Sequence, residues 1–165
     1  MKLRRAVTLA FLLALVGTAS VAVAQNPFVG SWTYRSLLND ADVNTDFDAL
    51  EFGRGTIVIN DAPMQLLTGT IGGPGWSLAL KGAREYGNPM HARFQGTGIV
   101  NGEQWVYDYD GYLVPAWPNG VQQVPAIIGS VIRTVPHSGS TPKGGGPPPI
   151  NPAGVVASFY AVRAS

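Results

Sequence analysis

The chain has 165 residues, of which 45% are hydrophobic and 13% are charged, with 21 Gly, 13 Pro and no Cys. This length predicts one domain, and the composition excludes an intrinsically disordered chain, because disorder combines low hydrophobicity with high net charge. The lack of Cys excludes a disulfide framework, a thiolate metal site and a Cys nucleophile. The many Gly and Pro residues predict turns and short strands rather than long helices.

Residues 1–24 have the three parts of an export signal. Three basic residues lie among the first five, residues 6–16 are apolar, and residues 22–24 (Ala-Val-Ala) form a small-residue cleavage site. The apolar part is shorter than the roughly 20 residues that span a bilayer. The sequence therefore predicts an exported protein, periplasmic or extracellular, whose mature chain begins at Gln25.

The net charge of +1 belongs to this export signal. Without its three basic residues, the mature chain over 25–165 has eight basic against ten acidic residues, a net charge of −2. No basic run remains for nucleic acid, and no second apolar stretch is long enough to cross a membrane. There is also no phosphate-binding loop, metalloprotease helix motif or serine nucleophile elbow. We expect no nucleic-acid partner, no cofactor and no metal.

Short segments rich in β-forming residues follow one another along the mature chain, separated by turn residues. Apolar and polar residues alternate in several of them, as in half-buried strands. Asn101-Gly102 is the strongest hairpin pattern among the turns. A connection rich in Gly and Pro, residues 136–154, is predicted to be a loop before the last strand. The predicted strands are 28–38, 50–60, 64–72, 76–84, 91–100, 104–116, 126–135 and 155–163.

Eight strands joined mostly by short connections predict an all-β fold, an eight-stranded antiparallel up-and-down barrel. A strand at the end of the chain is best explained as the one that closes the sheet. Closure also removes the exposed edges that promote aggregation. A β-sandwich is the alternative, because it has a similar series of short strands.

Two elements of the sequence resemble the calycin group, which includes lipocalins, fatty-acid-binding proteins and avidins. They are Gly30-Ser31-Trp32 in the first predicted strand and Arg163 at the end of the last. The resemblance implies that Gly30, Trp32 and Arg163 close one end of the barrel, with the guanidinium stacked on the indole. The chain departs from lipocalins in having the Gly/Pro-rich connection where they have a helix.

Aromatic residues are densest in the sixth predicted strand. Trp105, Tyr107 and Tyr109 share one face of that strand, and Trp32 and Tyr34 share a face of the first. If these faces point inward, the five side chains are candidates for binding a small, partly apolar ligand at one barrel end. The alternative is that the rings fill the interior, because an eight-stranded barrel is just wide enough to be packed solid.

Asp108 and Asp110 lie on the opposite face of the sixth strand, about 7 Å apart by strand geometry. Two carboxylates in different environments can act as acid and base. With Arg93 they are the candidate catalytic residues of an alternative function, an enzyme similar in architecture to allene-oxide cyclases or dirigent proteins. That function requires them to face the barrel interior. Otherwise they are solvated residues of the outer face.

Two further features, the histidines and an acidic loop, have no assigned role. His91 and His137 are the only histidines, and we expect both to be exposed. The acidic loop 39–48 alternates oxygen-bearing side chains; we expect it to be solvated, with weak divalent-cation binding as the alternative.

A third hypothesis for function is a protein-interaction module that self-associates through its outer face or the Pro-rich segment. The sequence favours ligand binding over this and over catalysis.

Overall fold

The computed structural model describes residues 26–139 and 145–165, so the predicted export signal lies outside the described residues. The strands are β1 (Gly30–Leu38), β2 (Glu51–Asp61), β3 (Leu66–Gly73), β4 (Trp76–Glu85), β5 (His91–Val100), β6 (Glu103–Leu113), β7 (Ala126–Arg133), β8 (His137–Ser138), β9 (Ile150–Asn151) and β10 (Val156–Arg163). One 3-10 turn, Pro63–Gln65, is the helical element among these residues, and it is far too short to cross a membrane.

The eight long strands form a closed antiparallel barrel in the order β1-β10-β7-β6-β5-β4-β3-β2. From β1 to β7 each strand pairs with the next along the chain, and β10 lies between β7 and β1. The predicted up-and-down barrel is therefore confirmed, and the alternative β-sandwich is wrong.

Strand alternation places one set of side chains inside the barrel. In β1, Trp32, Tyr34 and Ser36 are buried, whereas the residues between them are exposed. Asn101 and Gly102 have φ values of 51° and 83°, as in the two-residue hairpin turn whose twist matches that of its strands. This turn joins β5 to β6, as the sequence predicts.

Several predicted strands end one to three residues away from the observed ends, and two of these differences have a local cause. The third begins at Leu66 rather than at residue 64, because Met64 and Gln65 have positive φ values that a strand does not accept. The sixth ends at Leu113 rather than at residue 116. Pro115 has no N–H to donate to a strand ladder, so the strand stops before it.

The connection predicted as a loop contains a small second sheet. His137 pairs with Asn151 and Ser138 with Ile150, so β8 and β9 are antiparallel. We call this pair of strands the mouth hairpin, because it lies beside the end of the barrel at which β7 ends and β10 begins.

The connections divide between two barrel ends. The acidic loop, the β3–β4 and β5–β6 turns and the mouth hairpin share one end, which we call the open end. The segment 26–29 and the β2–β3, β4–β5 and β6–β7 connections share the other, the closed end.

Candidate functional site

A tryptophan and an arginine plug the closed end. Trp32 is fully buried, and its Nε1 donates a hydrogen bond to the Phe28 carbonyl at 2.9 Å. The Arg163 guanidinium carbon lies 4.3 Å from the centre of the Trp32 ring, and Nη1 donates to the Val29 carbonyl at 2.7 Å. Gly30 has a φ of 137°, and a Cβ there would collide with Arg163 Nη1. These contacts bring together the three residues that the calycin resemblance names for barrel closure.

The middle of the barrel is solid. Its interior cavity has a volume of about 10 Å³, room for one water molecule at most. Tyr34, Tyr109 and Phe159 pack on one another there, with ring centres 5.8 to 6.1 Å apart. Tyr34 and Tyr109, two of the candidate ligand-binding residues, are therefore mainly part of the core. Burial raises the pKa of both phenols well above the ordinary value, so both are neutral.

Above this core, the open end contains a hollow of about 530 Å³, which we call the mouth pocket. Tyr34 and Tyr109 of the core line the floor of this pocket. Trp105 and Tyr107, on the inner face of β6, contribute to its wall. Trp32 lies at the opposite end and does not reach it. The lining includes the aromatic residues Tyr34, Phe52, Trp76, Trp105, Tyr107 and Tyr109, and the polar residues Ser36, Glu51, Arg54, Asn101, Arg133, His137, Ser138 and Asn151.

A chain of hydrogen bonds crosses one side of the mouth pocket. His137 Nδ1 lies 2.9 Å from the Ser138 carbonyl oxygen, which can only accept, so Nδ1 carries the proton. His137 Nε2 then accepts from the Tyr107 hydroxyl at 2.6 Å, and the Tyr107 oxygen accepts from Arg133 Nε at 3.3 Å. His137 and Arg133 are 5% and 7% exposed. Each polar group thereby fixes the orientation of the next.

Aromatic stacking joins this chain to the pocket wall. The His137 ring lies on the Trp105 indole, with ring centres 3.9 Å apart and planes 18° apart. Trp76 packs on Trp105 at 6.3 Å. The Arg133 guanidinium lies over the Phe52 ring at 4.9 Å. The pocket therefore combines flat apolar faces with one buried cationic group.

The electrostatics of the pocket keep His137 neutral. Burial is the main reason why the pKa of the His137 imidazole is lowered, and the positive charge of Arg133 lowers this pKa further. The hydrogen bond to the Ser138 carbonyl and the charge of Glu103 act in the opposite direction. Glu103 also holds the mouth hairpin, since its carboxylate accepts from the Ser138 amide and from the Ser138 hydroxyl at 2.7 Å.

The candidate catalytic residues lie on the outer face, not in the barrel interior. Arg93 Nε is 3.1 Å from Asp110 Oδ2, and Asp108 Oδ1 accepts from Gln95 Nε2 at 2.9 Å. All three line a broad, open depression on the outside of the barrel, with a volume of about 950 Å³. The orientation that the enzyme hypothesis requires is therefore not found.

The expectation that both histidines are exposed is wrong. His137 is buried in the stack described above, and His91 is half-buried on the outer face. His91 Nε2 contacts the Asp110 carboxylate, and its Nδ1 lies 3.7 Å from Glu85. In the described part of the chain, no three His, Asp or Glu side chains are grouped so that they could hold a metal ion.

The acidic loop uses its carboxylates to shape its own backbone. Asp40 accepts from the amide of Asp42, and Asp42 from the amide of Asn44, each at 2.9 Å. Asp40 also accepts from the Thr45 hydroxyl. These hydrogen bonds lower the pKa of Asp40 and of Asp42. The loop side chains are exposed, as expected.

The residues of the mouth pocket that the sequence did not predict include Phe52, Trp76, Arg133 and His137. The alternation of β7 offers a usable pattern, since Arg133 has the parity of the buried Ile127 and Val131. His137 lies in a Gly/Pro-rich connection, where no periodicity indicates which side chains are buried.

Comparison of the chain with protein-family profiles, with curated proteins and with solved structures finds no match. The site is therefore interpreted from its own geometry and chemistry.

Proposed function

We propose that the protein binds a small, partly apolar molecule in the mouth pocket. The observation that carries this proposal is a hollow of about 530 Å³, lined by aromatic rings and a few oriented polar groups, above a solid core. Ligand pockets commonly have volumes of 300 to 1,000 Å³ and this mixture of linings. Trp105 and Tyr107 are the candidate contacts from the sequence; Phe52, Trp76 and Arg133 are added by the geometry.

Binding is favoured over catalysis at the sites considered. The enzyme hypothesis depends on Asp108, Asp110 and Arg93 in the barrel interior, and these face solvent. Tyr107, His137 and Arg133 in the mouth pocket are instead joined by hydrogen bonds, in an arrangement suited to orienting a ligand.

Two further parts of the proposal concern origin and location. The plug formed by Trp32 and Arg163 supports a relationship with the calycin group, at the level of the barrel and its closed end.

Export is supported by the composition of residues 1–24. The intact mass of the protein recovered outside the cytoplasm tests it, since the expected mature chain begins at Gln25.

The binding proposal is tested by titrating the protein with N-phenylnaphthylamine, a neutral dye that fluoresces in apolar sites. We expect saturable binding that Trp105→Ala weakens about tenfold, because the variant removes one face of the pocket. Trp117→Ala is the matched control, since Trp117 is 76% exposed in the connection at the closed end.

Equal weakening by the two tryptophan variants would place the dye outside the mouth pocket and contradict the proposal. The lack of saturable binding by the unmodified protein would contradict it as well. Circular dichroism of both variants checks that the barrel is retained.

A further inference from the structure

The mouth pocket contains a buried positive charge that no acidic side chain neutralises. Arg133 is 7% exposed. Within residues 26–139 and 145–165, no carboxylate oxygen lies within 4.0 Å of its guanidinium. Its hydrogen bonds go to neutral oxygens: Nε to the Tyr107 hydroxyl at 3.3 Å and Nη1 to the Pro152 carbonyl at 3.0 Å.

The acids at the pocket have other partners. Glu51 lines the pocket together with Arg54 and forms an ion pair with that arginine. Glu103 accepts two hydrogen bonds from Ser138. Buried charges in proteins are normally paired, because removal of an ion from water is costly without a counter-charge. The structure thus offers a cation that lines the ligand pocket and lacks such a counter-charge.

The hydrogen-bond chain determines which donors are left for a ligand. The Tyr107 hydroxyl gives its hydrogen to His137 Nε2, so it is not a donor toward the pocket. The neutral His137 gives its proton to the Ser138 carbonyl. Among the three members of this chain, the guanidinium of Arg133, with five N–H donors in a planar fork, is therefore the group that can donate to an anion, and it is the buried cation of the pocket lining.

We propose that the ligand is a carboxylate with a flat apolar body. Its carboxylate forms an ion pair with Arg133, and its apolar body lies against Trp105 and Trp76. This inference rests on the proposed binding function and names its ligand class. The geometry that carries it is the buried, unneutralised guanidinium in the wall of an aromatic pocket.

The test compares naphthylacetate with naphthylacetamide by isothermal titration calorimetry at pH 7.5. The two probes share the same apolar body and differ in charge. We expect the unmodified protein to bind the acid about tenfold or more tightly than the amide, as a charge-assisted hydrogen bond to Arg133 predicts. Arg133→Met should abolish this preference and leave the affinity for the amide within about threefold.

Arg35→Met is the matched control, because Arg35 lies on the exposed face of β1. It removes the same net charge and should keep the preference for the acid. Equal loss of preference in this variant would show a general charge effect and overturn the inference. Where Arg133→Met fails to fold, Arg133→Lys retains the charge and should keep a preference of at least severalfold.

Equal affinity of the unmodified protein for acid and amide overturns the carboxylate inference and leaves the binding function standing. Binding of N-phenylnaphthylamine without binding of either naphthyl probe also overturns the carboxylate inference and leaves the binding function standing. If none of the three probes binds, the proposed function fails, and the carboxylate inference fails with it.

Discussion

Two arginines lie over aromatic rings at opposite ends of the barrel, and their surroundings give them different roles. Arg163 covers Trp32 and donates to backbone carbonyls, so it completes a plug at the closed end. Arg133 lies over Phe52 and lines a hollow large enough for a ligand. The first arrangement closes one end of the barrel, whereas the second offers a buried charge to the proposed ligand.

Gly30→Ala should destabilise the barrel by about 1 to 3 kcal/mol, because it combines an unfavourable backbone conformation with displacement of Arg163. Urea unfolding measures the loss. Gly53→Ala is the control: an added Cβ there is in ordinary contact with Ser36 Oγ at 3.6 Å, and a change within about 0.5 kcal/mol is expected. An equal loss in both variants would contradict the role of Gly30.

The stability of the protein should fall as the pH decreases below about 6.5. His137 takes up a proton less readily when folded than its ordinary pKa of 6.5 predicts, so acid favours the unfolded chain. Protonation also places a second donor on the Tyr107 oxygen and a positive charge beside Arg133, with only Glu103 opposing it. Thermal unfolding at pH 7.5 and pH 5.5 measures the effect.

His137→Gln should reduce this pH dependence, whereas His91→Gln, on the outer face, should retain it. The same pH dependence in the His137 variant as in the unmodified protein would show that another group is responsible.

At the scale of elements, the mouth hairpin is a sheet separate from the barrel, and side-chain contacts rather than strand pairing attach it to β6. Its β8 strand is held by Glu103 and by the stacking of His137 on Trp105. The barrel strands instead pair along both edges. Local opening of the hairpin is therefore expected to cost less free energy than unfolding of the barrel.

Glu103→Ala should increase amide hydrogen exchange in β8 and β9 about tenfold and leave exchange in the barrel strands unchanged. The variant removes both acceptors for Ser138. Glu85→Ala, at the closed end, is the control and should not affect the hairpin. Faster exchange throughout the barrel would mean that the hairpin and the barrel open together.

The strands and the two faces of each could be predicted from the sequence, because alternation and turn residues are local patterns; which face of the sixth strand points inward stayed open. Trp105 and Tyr107 were located in this way. His137 was not, since its burial depends on a stack with a residue 32 positions away, Trp105, and on a hydrogen bond to Tyr107. Whether the barrel is hollow depends on how side chains from all strands interdigitate, which no single segment shows.

At the scale of the whole molecule, the solid core stabilises the barrel and the open end contains the mouth pocket. A chain without Cys relies on core packing and strand closure for stability, and the interior cavity of about 10 Å³ shows how completely it is filled. The hollow is confined to the end with the acidic loop and the mouth hairpin. The proposed ligand binding there does not require the core to open.

The most direct test of this account is an NMR titration of the isotope-labelled protein with N-phenylnaphthylamine. The account predicts chemical-shift changes concentrated at the open end, in residues 101–107, 133 and 137–139 and in the indole N–H of Trp105. The indole N–H of Trp117, at the closed end, should not shift. Changes centred on the closed end or on the outer face around Asp108 and Asp110 would contradict the account.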